Sequence, residues 1–124
     1  MLQCTQTYAI RRVSMLINFN EIQPKELVNF KDGEKSVFMQ MFSDDDNKVA
    51  MLRLPAGASI GLHRHEGTSE AIYIIEGSGE MLEDDGSIVP LKAGDVSYCP
   101  KNCQHSLRNN SDADLVVFAV IPTH

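Results

Sequence analysis

Apolar and polar residues alternate along much of the chain, and turn-forming clusters cut the alternation every few residues. Successive side chains on an extended backbone leave opposite faces, so this pattern predicts short β-strands. The expected strands are Ser36–Phe42 (SVFMQMF), Val49–Leu54 (VAMLRL), Ala71–Ile75 (AIYII), Glu80–Glu83, Ser87–Leu91, Val96–Cys99, Cys103–Arg108 and Leu115–Ile121. Between them lie predicted reversals. Asp84-Asp85-Gly86 carries the Asp-Gly pair of a tight hairpin, and Ser43–Lys48 is a polar tip. Its three aspartates lack the alternating spacing of a calcium loop, so a solvated turn is expected. Pro24 limits any helix near it to a short turn that follows it. Many short strands at nearly even spacing, with no interior helix, predict an all-β barrel or sandwich. Residues 1–14 show no periodicity and are expected to be a poorly ordered extension, a tag remnant or part of an overlong start, ahead of one domain at 15–124.

The same parity assigns faces. Ala50, Leu52 and Leu54 point inward, with Met51 and Arg53 outward. Ile72 and Ile74 share the face of Glu70, and Cys103 and Leu107 share that of His105. Tyr73 and Tyr98 fall out of phase with these and are expected to be packing residues. Leu115–Ile121 is apolar on both faces. Its second face therefore needs a cover, which predicts a homodimer.

Composition narrows the function classes. At 124 residues and 43% hydrophobic, the chain suits one domain with a real core. A formal net charge of -6 argues against nucleic acid or an anionic membrane surface as partner. No run of residues approaches the length of a membrane span. Three cysteines, Cys4, Cys99 and Cys103, form no disulfide framework and suggest a reducing cytoplasm. Arg11-Arg12 precede an apolar stretch, but Asn18, Asn20 and Glu21 break it, so a twin-arginine export signal is not expected.

The candidate chemistry lies between Gly57 and Gly77 (GASIGLHRHEGTSEAIYIIEG). His63 and His65 are two apart, so an extended chain presents both imidazoles on one face. Glu70 opens the next strand after the turn-prone Glu66–Ser69. Two imidazoles and a carboxylate suit a divalent metal that accepts nitrogen and oxygen donors. His105, on another strand, is a third candidate nitrogen donor.

In these two stretches the sequence resembles the cupin superfamily. Gly57, His63, His65, Glu70 and Gly77 stand at the spacing of its first motif. Gly94, Pro100, His105 and Asn109 fit the second, with Asn102 where glycine is usual. Asn tolerates the left-handed backbone that such a position needs. The resemblance implies a small double-stranded β-helix (jelly-roll) barrel whose mouth holds a metal on His63, His65, Glu70 and His105. Four such donors leave two positions open at an octahedral ion, favouring iron, manganese, nickel or cobalt over a closed structural zinc site. The expected pocket walls are Leu52, Leu54, Ile72, Ile74, Cys103 and Leu107, an apolar lining for a small, partly apolar chelating ligand. Cys103 is expected to be a small buried hydrophobe, and Asn109 to tie down its own turn.

The leading expectation is a metal-dependent, oxygen-using enzyme of dioxygenase type, because no acid or base stands apart from the donors. The alternative is a non-catalytic module that binds a small molecule or metal, since fold does not fix function. Sugar-phosphate isomerisation is a weaker expectation, and oxalate decarboxylation weaker still.

Overall fold

The computed structural model describes residues 13–124. The extension expected at 1–14 therefore lies almost wholly outside the described residues. Among these, ten strands form two antiparallel sheets. They are β1 (Lys25–Val28), β2 (Ser36–Ser43), β3 (Asn47–Leu54), β4 (His63–Arg64), β5 (Glu70–Glu76), β6 (Ser78–Leu82), β7 (Ile88–Lys92), β8 (Val96–Cys99), β9 (Gln104–Arg108) and β10 (Leu115–Pro122). One sheet has the order β1-β2-β3-β10-β5-β8 and the other β4-β9-β6-β7. This is the all-β architecture expected from the alternation, in the jelly-roll form that the resemblance implies.

Period-two burial explains why the sheets close on each other. On β10, Leu115, Val117 and Ala119 are buried, while Val116, Phe118 and Val120 on the other face are half-buried. Ala50, Leu52 and Leu54 on β3 face the same interior, opposite Ala119, Val117 and Leu115. Val37, Ile74 and Met81 complete a core with no solvent exposure at its centre. Each such side chain contributes roughly 1.5–3 kcal/mol by leaving water. The chain crosses from one sheet to the other at Gly77, which adopts φ +88° and sits against the Asp114 carbonyl, where a Cβ would collide.

Two sequence expectations are corrected here. The stretch after Pro24 is not a helical turn but β1, recruited by pairing with Ser36–Met39 of β2. The helical turn lies before Pro24, at Phe19–Glu21, where the Asn18 side chain caps Asn20 N at 3.0 Å. Gln40 Nε2 donates to the Phe19 and Ile22 carbonyls at 2.6 and 2.9 Å. These bonds hold Phe19 edge-on against Phe118, with centroids 6.3 Å apart, so part of the outer face of β10 is covered by the chain itself. Tyr73 and Tyr98 are not packing residues within the chain. They stand 46% and 63% exposed on the outward face of the β5–β8 edge, beside exposed Ile75 and Val96.

Candidate metal centre

His63, on β4, is paired in register with His105 on β9, so the two imidazoles are cross-strand neighbours. His65 follows one residue beyond β4, and Glu70 begins β5. The turn between them is clamped by the turn of the second motif. His65 N donates to the Cys103 carbonyl at 3.0 Å, and Asn102 N donates to the His65 carbonyl at 2.8 Å. Asn102 adopts φ +71°, the left-handed geometry expected of it. Its side-chain oxygen also accepts from Gly67 N at 3.3 Å, a bond that glycine at this position could not make.

The structure brings all four predicted donors together, with one donor atom from each lying within 4.8 Å of the others. His65, Glu70 and His105 are buried and His63 is half-buried. The three imidazole rings meet edge-on, with centroids 4.8–4.9 Å apart. His65 Nε2 and His105 Nε2 are 3.0 Å from each other, and each is 2.9 Å from Glu70 Oε1. Three donors on a triangle of that size can each lie about 2.1 Å from one ion set above it, the usual metal–imidazole length. Together with His63 they form a group that could hold one divalent ion.

Hydrogen bonds orient the rings. His63 Nδ1 donates to the Gly61 carbonyl at 2.7 Å, which leaves the Nε2 lone pair free as a ligand. Thr68 Oγ1 lies 3.4 Å from His65 Nδ1. Burial lowers the pKa of His63 from 6.5, so its neutral, ligating form is favoured. Burial alone would push Glu70 up. Hydrogen bonds from His105 and His65 outweigh that and bring it down to about 2, so the carboxylate stays ionised.

The donors open into a cavity of about 370 Å³. Of the six expected wall residues, Leu52, Ile72 and Leu107 border it. Leu54 and Ile74 do not: they have the right parity but lie deeper, fully buried in the core. Cys103 does not border it either. It precedes β9, outside the strand's alternation, and faces a different depression beside Asp84 and Tyr98. Cys103 is half-buried, not the buried hydrophobe expected. The thiol that is buried is Cys99, paired with Glu70 across the strands and pushed up to about 12 by burial and by Cys103. Asn109 ties its own turn as expected, donating to the Leu54 and Ala113 carbonyls and accepting from Ser111. Sequence reasoning missed Phe30, Lys31, Met39, Met41 and Lys48, which also line the cavity. Lys48 was within reach, because it shares the parity of Ala50 and Leu52. Phe30 and Lys31 come from an irregular turn with no periodic signal.

A family model described as "Cupin domain" matches residues 50–121, a segment that holds all four donors. The chain belongs to the cupin family. This cupin is 38% identical over 113 residues to an oxalate-binding protein of Thermotoga maritima, a match covering 86% of this chain and 93% of that one. It also superposes on the crystal structure of a Thermotoga maritima protein described as a predicted oxalate decarboxylase. That match has a TM-score of 0.82 and 34% identity, covering 89% of this cupin and 100% of the other chain. A 5-nitrosalicylic acid 1,2-dioxygenase of Bradyrhizobium sp is 35% identical over 65 residues, 52% of this cupin but only 30% of the larger enzyme. No helix among the described residues is long and apolar enough to cross a membrane.

Proposed function

We propose that this cupin holds a divalent transition metal on His63, His65, Glu70 and His105 and captures a small chelating carboxylate, with oxalate the first to test. The observation that carries this is the triangle of His65, His105 and Glu70 donors, 2.9–3.0 Å apart, at the base of an open cavity. Four protein donors leave two cis or trans positions of a six-coordinate ion for a guest. The name of the Thermotoga maritima relative supports oxalate as that guest. A bound transition metal supplies Lewis acidity and, for iron or manganese, one-electron redox chemistry. The chain's own residues do the rest. Gly61 fixes the ring of His63, Glu70 contributes a fixed negative charge, and Leu52, Ile72 and Leu107 keep bulk water from the guest.

A second reading is an oxygen-dependent enzyme of dioxygenase type acting on a partly apolar chelator. The apolar cavity wall favours it, as does the partial likeness to the Bradyrhizobium enzyme. Both readings place the chain in a reducing cytoplasm as a homodimer. Support comes from the free thiols of Cys99 and Cys103 and from the exposed apolar edge at Tyr73 and Tyr98.

The test is anaerobic reloading of stripped protein with iron, manganese, nickel, cobalt or zinc, followed by oxalate titration in a calorimeter and oxygen-electrode assays with diketones, thiols and phenols. Metal-dependent oxalate binding without oxygen uptake supports capture. Oxygen uptake with any panel member supports the enzyme. Failure to retain any of the metals overturns both.

A further inference from the structure

The charges around the cavity mouth run opposite to those of the whole protein. The chain carries a formal net charge of -6, yet beyond the metal donors the cavity is bordered by Lys31, Lys48 and Arg64 against a single acid, Glu66. Arg64 is already engaged, near Asp84 at 3.9 Å and donating to the Asn102 carbonyl. Lys31 and Lys48 form no ion pair among the described residues. Lys48 points into the mouth because it shares the inward parity of Ala50 and Leu52 on β3. The position of Lys31 is held at a cost. Asn29, Lys31, Asp32 and Lys35 all adopt φ between 52° and 65°, a left-handed run rare outside glycine. The Lys31 carbonyl packs directly on Gly61, where any Cβ would collide, while Gly61 N donates to the Phe30 carbonyl at 3.0 Å. The segment that places Lys31 is thus pinned to the segment that orients His63.

The cavity's size points the same way. About 370 Å³ lies at the lower end of the roughly 300–1,000 Å³ of pockets that take drug-sized ligands, and oxalate fills only a fraction of it. Between the donors and the two lysines the walls are apolar, with Met39, Met41 and Ile72 among them.

We propose that Lys31 and Lys48 are specificity-determining residues for a ligand with a chelating head at the metal, a short apolar body, and a second anionic group, most simply a carboxylate, at the mouth. This rests on the metal-centred capture of a chelating carboxylate described above and names the ligand class within it.

The test compares 2-oxopentanedioate with 2-oxopentanoate, which share the chelating head and carbon count and differ in the distal carboxylate. Each is titrated calorimetrically into metal-loaded protein at low salt, beside oxalate, with wild type and the Lys31→Met/Lys48→Met double variant. Elemental analysis and circular dichroism check that the variant keeps its metal and fold. Two partly exposed ion pairs predict that wild type prefers the dianion by about tenfold. That ratio should shrink toward one in the double variant and in about 0.5 M salt, where such pairs are screened. Equal affinities in wild type, or a ratio the double variant leaves unchanged, overturn the role of the lysines and leave carboxylate capture standing. Binding of neither oxo acid nor oxalate overturns capture and the lysine role with it.

Discussion

Glu70 couples the metal-free protein's stability to pH in a way that can be worked out from the site. In the fold its pKa is brought from 4.5 to about 2: the donated hydrogen bonds of His105 and His65 exceed the opposing push of burial. Because the folded value lies below the unfolded one, the folded state gains stability above pH 4.5 and loses it as the pH falls towards 2. The drop from 4.5 to about 2 corresponds to roughly 3–4 kcal/mol, of which about 3 kcal/mol is lost by pH 2. That is a large share of the roughly 5–15 kcal/mol that holds a small domain together. The perturbation is Glu70→Gln, which keeps the shape and removes the ionisation. Urea unfolding, followed in the presence of a chelator from pH 7 to pH 2, gives the free energy at each pH. Wild type should lose about 3 kcal/mol more than the variant over the lower part of that range. Asp44 and Asp85 are also lowered, but both are exposed and present in both proteins, so their contribution cancels. Burial depresses His63 below 6.5, which adds a loss of stability beginning nearer neutrality, again in both proteins. Parallel pH profiles for wild type and variant would refute the assignment of Glu70 as the buried, ionised acceptor of two imidazole protons.

His63→Ala or His105→Ala should each weaken metal retention by about tenfold or more while leaving the far-ultraviolet circular dichroism of a β protein; metal retained by both in elemental analysis would mean that other residues hold it. In wild type, metal affinity should fall below about pH 6 as protons compete for the imidazole donors, read by equilibrium dialysis; an affinity flat down to pH 4 would count against imidazole ligation. Light scattering at micromolar concentration should give a dimer, and Tyr73→Glu with Tyr98→Glu should shift it to monomer by placing charge on the exposed β5–β8 edge. A wild-type monomer would sink the second-copy cover.

The strands were legible where alternation and turn chemistry agreed. Val96–Cys99 was placed to the residue, and β3, β5 and β10 to within two residues at each end. β1 was hidden because Pro24 is equally compatible with a turn and with the residue before an edge strand, and only pairing with β2 decides. The four donors could be named because each needs a particular side chain at a fixed offset, and local backbone geometry suffices to relate His63 to His65. The part of the lining that Phe30 and Lys31 supply could not be read. Phe30 and Lys31 reach it through a left-handed segment whose form depends on contact with Gly61, thirty positions along the chain. Parity put Leu52, Ile72 and Leu107 on the inward face, and these three border the cavity, but parity carries no depth along the barrel axis. Leu54 and Ile74 therefore shared their face without sharing their surroundings.

The donors all fall within residues 50–121, whereas Phe30, Lys31, Met39, Met41 and Lys48 come from the hairpin and turn that precede that segment. The donors and the lysines at the mouth thus come from separate stretches of polypeptide, joined by the pairing of β2 with β3 and by the seat of Lys31 on Gly61. Exchanging the leading stretch, with Gly61 kept as the seat for its left-handed bend, would give a set of barrels with one inorganic centre and many tastes.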